Sequence, residues 1–309
     1  MKKNSPDHFD KFAKRKSNAA IKEQFKQEKR KWKKEREEFF EKRKQSAVGS
    51  RQSEVQHHQK PQKSGLGTLN SSMPLNKFIA HCGVCSRRDA AELVKLGKVK
   101  VNNEIITEPG HKISAKDDVK VNGKKIFLAK NLVYILLNKP KDYITTTDDP
   151  QKRKTVLDLI RTTERIYPVG RLDRNTSGVL LLTNDGELSQ KLTHPSREVK
   201  KVYHVTLNRD LEKKDFDQIL KGVNLEDGTA SVDVLAYADL KDKTQLGIEI
   251  HSGRNRIVRR IFEHLGYDVK NLDRVMFAGL TKKNVERGKW RFLSEKEVRD
   301  LKYFGKGNR

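Results

Sequence analysis

Apolar and polar positions divide this 309-residue chain into three stretches of different character. In residues 1–72 the apolar side chains are sparse and isolated. Ile21 to Lys44 contains neither Pro nor Gly and is rich in Lys, Glu, Arg and Gln, all helix formers. The spacing of Ile21, Phe25, Trp32 and Phe39 predicts a helix over 21–44 carrying one narrow apolar stripe. Such a stripe either docks on a partner or decorates a solvated rod. Gln45 to Ser72 turns to Ser, Gln, His and Gly, the composition of a flexible linker.

Regular patterning begins near Met73. Leu75, Phe78, Ile79 and Val84 are spaced for a short helix packing on one side. Ser86 is placed to cap a second helix, Arg87 to Leu96, which buries Ala90, Leu93 and Val94 and stops at Gly97. Val99-Lys100-Val101 alternates, Asn102-Asn103 turns and Ile105-Ile106 resumes, which predicts a hairpin. Val119 to Gly123 supplies a further strand and turn. Residues 73–130 therefore read as a small domain of two helices and a curled sheet.

From Leu132 a larger pattern takes over. Strands are predicted at Val133–Leu137, Val179–Thr183, Val199–Leu207, Ser231–Tyr237 and Leu246–His251. Helices are predicted at Gly186–Leu192, Lys213–Leu220 and Arg256–Leu265, and Ser294-x-x-Glu297 is a capping box opening a last helix to about Tyr303. Adjacent strands with short intervening helices favour an α+β fold with a mixed, mostly antiparallel sheet over residues 131–305.

Composition narrows the partner. Net charge is +26, and residues 1–72 alone hold 20 Lys and Arg against 9 Asp and Glu, a surplus of 11. Phosphate backbones attract such a surplus through counterion release, so nucleic acid is the expected partner, with anionic membrane surface the alternative. No run approaches the roughly 18 apolar residues of a membrane span. With charged residues from Lys2 onward no secretory leader is expected, and two cysteines make no disulfide framework, so the cytoplasm is the expected compartment.

The chain contains no Gly-Lys-Ser/Thr phosphate loop, no G-x-G-x-x-G and no H-E-x-x-H, so no nucleotide cofactor or metal is expected. Cys82-x-x-Cys85 is a lone pair, read as two small half-buried residues rather than half a zinc site. The informative stretch is Gly170-Arg171-Leu172-Asp173-Arg174-Asn175-Thr176-Ser177-Gly178, followed by the apolar run Val179 to Leu182. A polar loop with one carboxylate between two arginines leads into a buried strand, a rigid support for a site. The residues alone favour a structural Asp–Arg pair in a tight turn over a site.

Several motifs in order bear a resemblance. Leu75-Asn76-Lys77-Phe78, Gly83 to Ala90 and Gly97 to Asn102 look like an S-four-type RNA-binding domain. Tyr134-x-x-Leu137-Asn138-Lys139-Pro140, Pro168-Val169-Gly170-Arg171-Leu172-Asp173, Lys201-Val202-Tyr203 and Gly253 to Arg260 follow it. Together, over Leu75 to Phe304, the chain resembles the RsuA/RluB-type rRNA pseudouridine synthase family. Lys141-Asp142 replaces the family's small turn after Asn-Lys-Pro, and Ile257 stands where Gln is common.

The resemblance implies isomerisation of a uridine in ribosomal RNA, large-subunit rRNA by overall likeness, without cofactor or metal. It makes Asp173 the catalytic carboxylate, acting by attack on the sugar or by deprotonating it. Tyr203 becomes the platform for a flipped base, and Arg259 the cation paired with Asp173. Arg171, Arg174, Arg254, Arg256 and Arg260 are expected on the RNA backbone, and Leu280 in the pocket. At the front, Ser86, Arg87 and Arg88 at a helix start, with Lys95, Lys98 and Lys100, form the expected phosphate grip. The partner is ribosomal RNA or an assembling subunit. The competing reading is a non-catalytic RNA-binding assembly factor that keeps the fold. A hydrolase using Asp173 wants a second carboxylate that the motif does not offer. The tail is expected to add phosphate contacts without sequence preference.

Overall fold

A computed structural model describes residues 72–303 except 115, 129, 130 and 240. The expected 21–44 helix, its Phe25–Trp32–Phe39 stripe and the linker lie outside the described residues.

The front of the chain builds two helices over a small sheet. A short pair joins β1 (Met73–Pro74) to β4 (Lys112–Ile113), and α1 (Leu75–His81) follows β1 directly. It buries Leu75, Phe78 and Ile79. Val84 was expected on this helix; the helix ends before it, at His81, and Val84 is exposed. Ser86 caps α2 (Arg87–Lys95) in a reciprocal box with Asp89, each side chain taking the other's backbone N–H at 3.2 Å. β2 (Val99–Val101) turns through Asn102 and Asn103, both at positive φ, into β3 (Glu104–Ile105). β5 (Val119–Val121) turns through Asn122 and Gly123 into β6 (Lys124–Lys125). Asn and Gly tolerate the left-handed conformation these two-residue turns require. The antiparallel order is β3-β2-β5-β6. Val99, Val101, Val119 and Val121 point inward onto the two helices.

Among the described residues the main sheet has nine strands: β7 (Tyr134–Lys139), β8 (Tyr167–Pro168), β9 (Ser177–Thr183), β10 (Lys201–Leu207), β13 (Val234–Tyr237), β14 (Gln245–Ile250), β15 (Val269–Phe277), β16 (Leu280–Thr281) and β17 (Trp290–Phe292). A separate hairpin pairs β11 (Val223–Leu225) with β12 (Gly228–Ala230). The order β13-β14-β10-β15-β9-β7-β17 is antiparallel except at the β9–β15 seam, so the mixed, mostly antiparallel sheet holds. α3 (Gly186–Thr193), α4 (Lys213–Lys221), α5 (Ile257–His264) and α6 (Glu295–Tyr303) complete it. β7 and β9 are buried on both faces. Ile135, Leu137, Leu180 and Leu182 join one core, and Leu136, Val179 and Leu181 join the other with α3 and α6. Burial on both faces explains why these strands read as continuous apolar runs rather than alternating ones.

Candidate active site

The β9–β15 seam fixes where the Asp173 loop ends. Gly178 lies opposite Arg274, with φ of +109°. A Cβ there would sit 2.2 Å from the Arg274 carbonyl oxygen, so only glycine permits the approach. Just upstream, the buried Leu172 anchors the loop, and the Thr145 hydroxyl donates to its carbonyl at 2.8 Å. Asp173 follows, half-buried on the lining of a cavity of about 990 Å³.

A fully buried lysine supports this loop from beneath. The Lys139 ammonium donates to the carbonyls of Pro140, Asp173, Arg174 and Thr176 at 3.1, 3.0, 3.2 and 2.9 Å. Burial lowers its pKa to about 8, against the opposing pull of the Asp173 charge. Sequence reasoning placed Lys139 only in a strand motif, but a lysine ending an apolar strand at an inward position was a signal for such a clamp.

The opposite wall comes from β10 and β15. Tyr203 pairs directly with Arg274 across these strands, and both side chains are buried and line the cavity. Arg274 Nε donates to the Val179 carbonyl at 2.8 Å, and its guanidinium lies 4.6 Å over the Phe277 ring. Its Nη2 is buried with no hydrogen-bond partner among the described residues. Burial lowers the Arg274 pKa, while the Tyr203 hydroxyl favours the charged form. Two residues before Tyr203, Lys201 donates to Val199 and His251 carbonyls at 2.7 and 2.6 Å. Burial lowers its pKa to about 8, with the Arg274 charge acting in the same direction. Neither Arg274 nor Lys201 was singled out by sequence as a functional cation.

Arg259 does not pair with Asp173. Its guanidinium donates to the Val269 carbonyl at 2.8 Å and the Asn175 carbonyl at 3.3 Å, and no ion pair to Asp173 forms within 4 Å. α5 turns Arg259 inward behind the loop, where it braces the backbone two residues past Asp173. Burial lowers its pKa, Arg256 adds to that, and the Asp173 charge opposes it. Arg274 is the buried arginine that lines the cavity instead.

The remaining basic residues divide. Arg254 donates to Asp227, Gly228 and Thr229 of the β11–β12 turn, and Arg260 grips the Asp227 carboxylate at 2.6 and 2.9 Å. Arg256 pairs with Glu263 at 2.8 Å and Arg174 with Asp142 at 3.2 Å. The motif spacing could not show that one carboxylate gathers Arg254 and Arg260. Arg171 is exposed on the cavity lining. Leu280 is not on that lining. Ala278 and Gly279, both at positive φ, reverse the chain so that Leu280 packs in the second core, and Phe277 faces the cavity in its place.

At the front, Arg87, Arg88, Lys95, Lys98 and Lys100 are exposed, while the Ser86 hydroxyl is occupied as a helix cap. Cys82 and Cys85 pack partly buried against the front core, and burial pushes the Cys82 thiol up to about 12. Among the described residues no group of three or more His, Cys, Asp or Glu could hold a metal. Among them, too, no helix is long and apolar enough to cross a membrane.

Residues 133–264 match the family described as RNA pseudouridylate synthase, and residues 73–119 match the S4 domain. The chain is 42% identical over 232 residues to ribosomal large subunit pseudouridine synthase B of Bacillus subtilis (strain 168), covering 74% of this chain and 95% of that protein. It is 34% identical over 240 residues to the dual-specificity RNA pseudouridine synthase RluF of Shigella flexneri, covering 75% and 79%. A crystal structure of a pseudouridylate synthase superposes with a TM-score of 0.54 at 28% identity, covering 74% of this chain and 100% of the other.

Proposed function

The chain belongs to the RNA pseudouridine synthase family, and from that premise we propose that it isomerises a uridine of large-subunit ribosomal RNA, with Asp173 acting at the sugar. The reaction breaks the N1–C1′ bond and forms a C5–C1′ bond. C5 loses a proton and N1 gains one, so nothing is oxidised or reduced. The carboxylate either attacks C1′ or takes a proton from the sugar, and both routes need it ionised and held still.

The observation carrying this reading is the clamp on the Asp173 loop. The Lys139 ammonium, the Arg259 guanidinium and the Thr145 hydroxyl all hold backbone carbonyls around it. Its own carboxylate has no side-chain ion pair within 4 Å among the described residues, and the cavity lies in front of it. A purely RNA-binding assembly factor leaves that construction unexplained. The target base must leave the RNA stack to enter the cavity. Tyr203 supplies a ring for it, held by Arg274 behind. Arg171 is suited to the flanking backbone, and residues 73–130 to RNA outside the cavity. The substrate is free rRNA or an assembling subunit in the cytoplasm. Pseudouridine mapping of rRNA from cells with and without the protein tests this: one or more large-subunit positions should revert to uridine. An unchanged map would refute the assignment.

A further inference from the structure

The outer face of the small front sheet carries an arrangement that the catalytic reading does not use. The inward valines of β2 and β5 put Lys100 and Lys120 on the opposite, solvent side, where they are cross-strand partners. Lys120 in turn partners Lys125, and Lys100 partners Ile105. One row therefore runs Ile105–Lys100–Lys120–Lys125 across four strands. Like charges directly opposite each other destabilise a sheet, so two consecutive Lys–Lys pairs work against folding. Asp118 offsets part of this, lying 3.0 Å from Lys125 and 3.9 Å from Lys120, and leaves the row cationic. Two residues beyond Lys125, on the same face, Phe127 is 66% exposed with the Lys125 ammonium 5.6 Å from its ring centre. Ile105 is 59% exposed at the other end.

We propose that this face binds single-stranded RNA, its lysine row following the phosphates and Phe127 stacking on an unpaired base. The charge selects a polyanion. The bare ring beside it selects one with flat apolar faces, which an acidic peptide lacks and a paired duplex hides. The face points away from α1 and α2, and of the expected grip it takes only Lys100. The proposal needs only that the chain meets RNA, and it stands or falls apart from the isomerisation.

Full-length protein and an oligouridine of about 12 nucleotides test it, with an RNA duplex and polyglutamate as further probes. Lys120→Gln with Lys125→Gln should make the slope of log affinity on log salt shallower by about 1.4 for oligouridine. Phe127→Ala should weaken oligouridine about tenfold at unchanged slope and leave duplex binding as it was. Lys125→Arg should keep the wild-type slope. Far-ultraviolet circular dichroism checks that each variant is folded. Wild-type affinity and slope in both the lysine pair and Phe127→Ala would overturn the proposal. So would a lysine-pair loss shared equally by polyglutamate with no effect of Phe127→Ala, which would assign the face to an acidic protein.

Discussion

Replacing Lys139 with Met separates the stability of this protein from its chemistry. The folded-state pKa, about 8, lies below the ordinary 10.5, so the unfolded chain binds the extra proton between those values. Below pH 8 both states are protonated, and the buried charge costs about 3 kcal/mol of stability. That cost is relieved as pH rises from about 8 to 10.5. Lys139→Met relieves it at every pH. It also leaves four carbonyls without their donor, at about 1 kcal/mol or more each. The lost hydrogen bonds exceed the relief, so the variant should be less stable by about 1 kcal/mol or more in urea unfolding. The Asp173 loop, however, loses its central brace, and a displacement on the order of 1 Å costs about 10²-fold in rate. Single-turnover pseudouridine formation should fall by that factor in a folded variant. In the wild type, activity should decline above pH 8 as the ammonium is lost, while stability from this group does not decline. Lys201 titrates in the same range, and an alkaline decline that persists in Lys139→Met belongs to Lys201. A folded Lys139→Met enzyme of near wild-type rate would show that the Lys139 ammonium does not hold the Asp173 loop for catalysis.

Three further substitutions probe the walls of the cavity. Tyr203→Phe should retain substrate capture and lose rate, whereas Tyr203→Ala should lose both; equal, small effects in steady-state kinetics would leave Tyr203 a packing residue. Arg274→Met should lower kcat by about 10²-fold, with partial recovery in Arg274→Lys, because a buried cation beside Tyr203 is removed. Gly178→Ala should cost about 3 kcal/mol or more in urea unfolding, since its methyl meets the Arg274 backbone at a positive φ.

What the sequence reveals follows from how local each signal is. The Asn102-Asn103 and Asn122-Gly123 turns, and the Ser86–Asp89 and Ser294–Glu297 caps, are chemistry between near neighbours and are visible in the chain. The apolar run of β9 announces a buried strand, and the loop before it the site. β15 does not announce itself. Lys270, Asn271, Asp273 and Arg274 break its alternation, and a nine-residue strand at the middle of the sheet escapes periodicity. That strand carries Arg274, which no motif brings out, whereas Arg259 enters as the partner of Asp173 only through the family resemblance. A charged residue inside a strand is stable only with its partners, and those come from β9 and β10, about 95 and 71 residues away in sequence. The Asp227 link between Arg254 and Arg260 is equally non-local, as is the separation of Leu280 from the cavity.

On the proposed function, the Asp173 carboxylate performs the chemistry. Asp173→Asn keeps the shape of the loop, whose clamps all act on backbone carbonyls, and removes only the charge. The direct measurement is single-turnover conversion of a large-subunit rRNA fragment by wild type and Asp173→Asn, with binding of that fragment measured alongside. The Asn variant should bind equally or slightly more tightly and form no detectable pseudouridine. Pseudouridine formed by Asp173→Asn at a rate near that of wild type would contradict it.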